Sequence, residues 1–311
     1  MDDDAETVLR ANDRGTQFLI WFLFISATFS VLVRLGIKYA MTYGLAADGK
    51  LIIGALFIYL AQCIAISIAT AADIGVPTAT NSSYTEDNSS FLKAEYASIP
   101  LLILTLALVK WSNCAFIRNL SPGTYHRRTA LALAIVVGLW FVSSAVAGLV
   151  QCALPTPWDY ADNSRCIDRQ AWWTYVVVLN VTTDIGLVVL FLFIVIVLQT
   201  SRARKAGIIA AFSAKFLAVG AALAQLVAFR RGEGITNGLR LPLVLNQAVL
   251  SISIITTCVP YLQPFMKGLQ AGVNRVDNAS AAYEDELMHL PQPLRSSQSN
   301  RIHWDTTTRV A

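Results

Sequence analysis

VVVLNVTTDIGLVVLFLFIVIVLQ, residues 176–199, is apolar for long enough to cross a bilayer, yet it holds Asp184 near its midpoint. A hydrocarbon core of about 30 Å takes about 20 apolar residues in a helix, and a backbone immersed in lipid must satisfy its own hydrogen bonds as a helix or a closed barrel. The stretch meets that length and lacks the alternation of a barrel strand. Six similar runs accompany it, so the seven lie at about 17–38, 51–73, 96–118, 129–152, 171–199, 206–229 and 240–265. Composition agrees, with 55% hydrophobic residues, 14% charged residues and a mean hydropathy of +0.53, against about 25% charged in soluble domains. Turn-forming segments such as LSPGTYHRR at 120–128 separate the runs. The chain therefore reads as all-α, a seven-transmembrane helix bundle at 17–265, with an acidic N-terminal segment at 1–16 and a polar tail at 266–311.

Basic residues set the expected orientation. With the N-terminus outside, the inner loops hold Arg34, Lys38, Lys50, Arg118, Arg127, Arg128, Arg202, Arg204 and Lys205; the outer loops hold Lys93, Arg165, Arg169, Arg230, Arg231 and Arg240. That bias places the C-terminus inside. The glycosylation sequons at Asn81 and Asn88 and the loop cysteines Cys152 and Cys166 all fall on the outer side, where glycans and disulfides belong. Cys63, Cys114 and Cys258 lie within apolar runs and read as small packed hydrophobes. The opening MDDDAE is the opposite of a basic signal-peptide start, so the first run is expected to stay as a helix. The tail, with five basic and five acidic residues among Ser, Asn, Gln and Thr, reads as disordered.

Assigning the 24 Lys and Arg residues to loops and tails leaves Lys110 in the third run and Lys215 in the sixth, with Asp184 as their acidic counterpart. Taking the middle of each run as the midplane, the three share a layer within about 4 to 5 Å. A charge at the bilayer centre costs about 2.5 to 3.5 kcal/mol or more on insertion scales, so such groups face the bundle interior and find partners. Asp184 is expected to pair with one lysine while the other reaches along its stem toward the inner interface. Asn180 and Thr183 lie on the face of Asp184, and the last run offers a matching stripe of Asn246, Ser253 and Thr257, joined by Thr256. The layer has three readings: structural glue between helices, a solvated ligand or ion pocket, or a proton or ion relay.

LVKWSNCAFIRNLSP at 108–122, the segment from Cys152 to Leu190 with its Trp between two cysteines and its Asn then Thr-Thr-Asp, and TTCVPYLQPF at 256–265 together resemble the fungal rhodopsin-domain family of seven-helix membrane proteins, to which Pth-type receptor-like proteins are related. The resemblance covers about residues 14–270. It implies a disulfide between Cys152 and Cys166, and marks Lys110, Ser112, Arg118, Asn180, Asp184, Lys215 and Pro260 as signature positions. It implies no settled ligand. The ends of the second run, ADGKLI and ADIGVPTATN, depart from the family pattern.

The functional expectation is a receptor-like or sensory multi-pass protein, rhodopsin-like without retinal. A retinal Schiff base needs a lysine in the seventh helix, and residues 239–265 contain none. The alternatives are a structural or accessory membrane protein, or a small-molecule transporter using the polar layer around Asp184. No enzymatic role is expected: the three histidines, His126, His289 and His303, fall outside the bundle, and no metal-ligand cluster or nucleophile motif appears. Expected partners are the lipid bilayer, a ligand of unknown identity and a cytoplasmic signalling partner at the inner loops and tail, with no nucleic acid and no cofactor. The expected location is the plasma membrane rather than an internal one.

Overall fold

The computed structural model describes residues 2–42, 47–73, 86–120, 123–152, 166–197, 215–230 and 243–260. They form seven helices: α1 Asp2–Thr42, α2 Ala47–Asp73, α3 Glu86–Leu120, α4 Thr124–Leu149, α5 Arg169–Val197, α6 Lys215–Arg230 and α7 Leu243–Pro260. All except α6 are long and apolar enough to cross a membrane, and the rest of the sixth apolar run lies outside the described residues. Two helices extend past their apolar runs. α1 begins at Asp2 and so takes in the acidic N-terminal segment, while α3 begins at Glu86 and carries Asn88 in its first turn.

The helices pack in chain order, α1 on α2, α2 on α3, α3 on α4, α4 on α5 and α5 on α6. α7 closes the ring, since its Ser251 hydroxyl donates to Leu23 O of α1 and its Gln247 amide donates to Gln62 Oε1 of α2. α3 also touches α5, and it is the most buried of the membrane-crossing helices. It is therefore the axial element. Large apolar side chains such as Phe18, Phe22, Phe29, Phe57 and Leu139 face outward, as a bundle requires when its solvent is hydrocarbon.

Indole rings fix the central helices. Trp111 Nε1 of α3 donates to Ala134 O of α4 at 2.9 Å, and Trp140 Nε1 of α4 donates to Val176 O of α5 at 3.2 Å. α4 meets α5 closely at Gly148, where an added Cβ would stand 3.0 Å from the Trp172 ring. Beyond that contact the chain turns through the Cys152–Cys166 disulfide, S–S 2.07 Å, and an Ile167 N to Gln151 O hydrogen bond of 2.8 Å. This is the disulfide end of the bundle. The pairing that the family resemblance implied is the one present.

Candidate functional site

The charge in the opening stretch has its partner. Lys110 Nζ of α3 lies 2.7 Å from Asp184 Oδ1 of α5, with both side chains almost wholly buried, and donates a second bond of 2.9 Å to Asn180 O. The ammonium also stands 5.8 Å from the centre of the Trp140 ring, a distance at which the ring face attracts a cation. Asn180 and Thr183 are buried beside Asp184 as the periodicity predicts, the Thr183 hydroxyl donating to Leu179 O and Asn180 O.

Lys215 departs from expectation. Rather than reaching an interface it is buried, and its Nζ donates to Thr257 Oγ1 of α7 at 3.0 Å. Asn113 Nδ2 of α3 donates to the same oxygen at 3.1 Å, while that hydroxyl donates to Ser253 O at 2.8 Å. A hydroxyl has two acceptor positions and one proton, so Thr257 uses all three. A short polar site deep in the bundle thus holds the lysine, and the long route to solvent is not taken.

A second charged cluster lies at the end opposite the disulfide. Arg34 and Lys38, expected in an inner loop, sit in α1, and Arg34 has 0% side-chain exposure. Arg34 Nη2 lies 3.1 Å from Asp48 Oδ2 of α2 and donates to Ser112 Oγ of α3 at 3.0 Å; Lys38 Nζ reaches Asp48 Oδ1 at 2.5 Å. Ser112 Oγ returns a bond to Asp48 O at 2.9 Å, and Arg34 Nη1 reaches Thr257 O at 3.4 Å. Lys110 and Lys215 are consequently not the only cations taken into the bundle, and Asp184 is not its only buried carboxylate. The family pattern marked Ser112, but Arg34 stands near the end of its apolar run and Asp48 just before the start of the next, where side chains commonly reach water.

At the disulfide end the helices open into a recess with a cavity volume of about 50 Å³. Its lining includes Glu95 of α3, Arg169, Trp172 and Trp173 of α5, Gln225 of α6 and Asn246 of α7. Glu95 and Arg169 form an ion pair of 2.7 Å with partly exposed side chains, and the Gln225 amide donates to Asn246 Oδ1. Trp172 is buried, and its Nε1 has no hydrogen-bond partner among the described residues. Among these six only Asn246 stood out in the sequence. A carboxamide within an apolar run is the signal that marks Gln225, and it also marks Gln62 and Gln247, a buried pair joined at 2.9 Å.

Four helices serve both regions. α3 carries Glu95 and Lys110, α5 carries Arg169 and Asp184, α6 carries Gln225 and Lys215, and α7 carries Asn246 and Thr257. At the helical rise of 1.5 Å per residue the members of each pair stand roughly 15 to 22 Å apart along the axis. Ser253 and Thr256 of the α7 stripe are buried between them. Of the expected glycosylation positions, Asn88 lies in α3 and Asn81 lies outside the described residues.

Seven packed helices, six of them able to cross a bilayer, around buried ion pairs define a multi-pass integral membrane protein. The chain belongs to the fungal rhodopsin domain family, whose model matches residues 33–268. The matched region runs from α1 to beyond α7 and includes every residue of the recess and of both charged clusters. No curated protein and no solved structure matches the chain.

Proposed function

We propose that the protein is a receptor-like or sensory membrane protein without retinal and without enzymatic activity, which takes its ligand at the recess and responds at the Arg34–Asp48 end. The observation that carries this reading is the double service of α3, α5, α6 and α7: a ligand that parts groups in the recess pulls on the same helices that hold Lys110, Asp184, Lys215 and Thr257 in register. Buried ion pairs of fixed geometry suit a switch, because such an element adopts discrete arrangements rather than yielding continuously. In the same reading the disulfide end faces outward at the plasma membrane, residues 266–311 form a cytoplasmic tail, and the inner loops and tail meet a signalling partner. The basic residues support that orientation even with Arg34 counted as buried. An epitope tag at residue 311 accessible on intact cells would reverse it.

Coupling between the ends is measurable without knowing the ligand. The free cysteines Cys63, Cys114 and Cys258 are buried, so nitroxides can be placed selectively at Lys50→Cys and Arg127→Cys, exposed positions at the end opposite the disulfide. With the full chain in lipid nanodiscs, Arg169→Ala at the recess is expected to shift the distance distribution between the labels. An unchanged distribution would favour a structural or accessory protein instead.

A further inference from the structure

The end of the bundle opposite the disulfide carries three exposed arginines where α3 passes into α4: Arg118 just before the end of α3, and Arg127 and Arg128 in the first turns of α4. Three residues join the two helices, so the cations stand at one corner of the bundle. None of the three forms an ion pair among the described residues, and no acidic residue occurs from 96 to 158. Their depth identifies what they meet. Taking the middle of each spanning helix as the midplane, Arg127 and Arg128 lie roughly 13 to 14 Å from it and Arg118 roughly 18 Å. The hydrocarbon ends at about 15 Å and the headgroup layer at about 20 to 22 Å, and an arginine stem carries its guanidinium outward into that layer. Tyr125, 70% exposed, stands at the same level, as interfacial aromatic rings do. On the membrane side of Arg128, α4 exposes Leu131, Ile135, Leu139 and Val142 at successive offsets of three, four, four and three, one continuous apolar stripe.

We propose that this corner binds an anionic phospholipid, its headgroup held by Arg118, Arg127 and Arg128 and an acyl chain laid along the stripe that starts at Leu131. Guanidinium forks match phosphate oxygens, and lipids of net negative charge are drawn to basic residues at the membrane surface, whereas phosphatidylcholine carries its own neutralising cation. A soluble acidic protein would meet the cations but not the stripe, which lies at hydrocarbon depth. Anionic lipids concentrate in the cytoplasmic leaflet, the side that the proposed orientation gives to this end. The location in the cell rests on that orientation; the chemistry of the site does not.

The test reconstitutes the full chain in phosphatidylcholine bilayers holding a trace of chain-labelled phosphatidylserine or phosphatidylcholine in both leaflets, and reads by electron spin resonance the fraction of each lipid held at the protein. Phosphatidylserine is expected to be preferred at least about threefold at low salt, with the preference falling as salt is raised. The triple variant Arg118→Gln, Arg127→Gln, Arg128→Gln is expected to lose most of it, and Arg230→Gln, which removes a cation from the disulfide end, to keep it. If the triple variant fails to fold, the three single variants stand in for it, each expected to lose part of the preference. Equal retention of both lipids by the unmodified chain, or a preference unchanged in the triple variant or in all three single ones, would overturn the proposal. An equal loss in Arg230→Gln would reduce the effect to overall charge and overturn it as well. Displacement of the labelled phosphatidylserine by micromolar glycerophosphoserine or oligoglutamate would also overturn it, in favour of a site for a free phosphate or an acidic protein.

Discussion

Asp184 and Lys215 illustrate two ways of keeping a charge inside a bilayer, and they predict different responses to mutation. Asp184 sits directly on an ammonium, so Asp184→Ala leaves the buried Lys110 without that counter-charge. Losing half of a buried pair costs about 3 to 5 kcal/mol. The expected outcome in nanodiscs is a large fall in melting temperature and in folded yield, with much of both recovered in the charge-neutral double variant Asp184→Asn, Lys110→Met. Failure of the double variant to recover stability would mean that the pair does not act as a unit. Lys215 instead rests on a hydroxyl, and no described carboxylate forms an ion pair with it. Replacing it with an apolar residue of similar length removes a desolvated charge while leaving Thr257 bonded to Asn113. Lys215→Met should therefore change stability by less than about 1 kcal/mol or raise it, well below the cost of Lys110→Met, because buried ionic groups replaced by apolar ones are often neutral or stabilising. Thermal unfolding of the two variants side by side checks the order. Lys110, Lys215 and Asp184 were legible in the sequence because charges in the middle of apolar runs are costly and therefore rare. Arg34 and Asp48 were hidden because, near the end of the first run and just before the start of the second, solvent and burial are equally plausible destinations.

At the level of the helices, contact between α4 and α5 depends on a missing side chain. A Cβ on Gly148 would approach Trp172 Cζ2 at 3.0 Å, whereas nothing stands within 4 Å of one added at Gly54 or Gly220. Gly148→Leu forces the indole or the helix to move and should cost about 1 to 3 kcal/mol, the range for overpacking. Gly54→Ala should be neutral or stabilising by up to about 1 kcal/mol, since it removes helical glycine at no steric expense. A melting series on the two variants in one lipid composition tests both. Equal effects would show that α4 and α5 are not held at that distance. The helices themselves were plain from run length alone, since hydrocarbon leaves few other structures open. Their ends were not: α1 and α3 continue through polar residues beyond the apolar runs, and hydropathy does not register a polar helical turn outside the lipid. The recess was invisible for another reason. Glu95, Arg169, Gln225 and Asn246 come from four helices and meet only through packing, with no local spacing to mark them.

At the scale of the whole molecule, the proposed sensory role requires the recess and the buried ion layer to act as one device. Sites this far apart along a helix, with no shared partner, ordinarily contribute to stability independently. Glu95 and Lys110 share only α3, and their partners Arg169 and Asp184 share only α5. The direct measurement is a double-mutant cycle on thermal unfolding in nanodiscs with Arg169→Gln, Lys110→Met and the combination. Coupling carried by two-state elements is expected at about 0.5 to 2 kcal/mol, so the double variant should depart from the sum of the single effects by that amount. Additivity within about 0.3 kcal/mol would contradict the account and leave two separate polar clusters in one bundle.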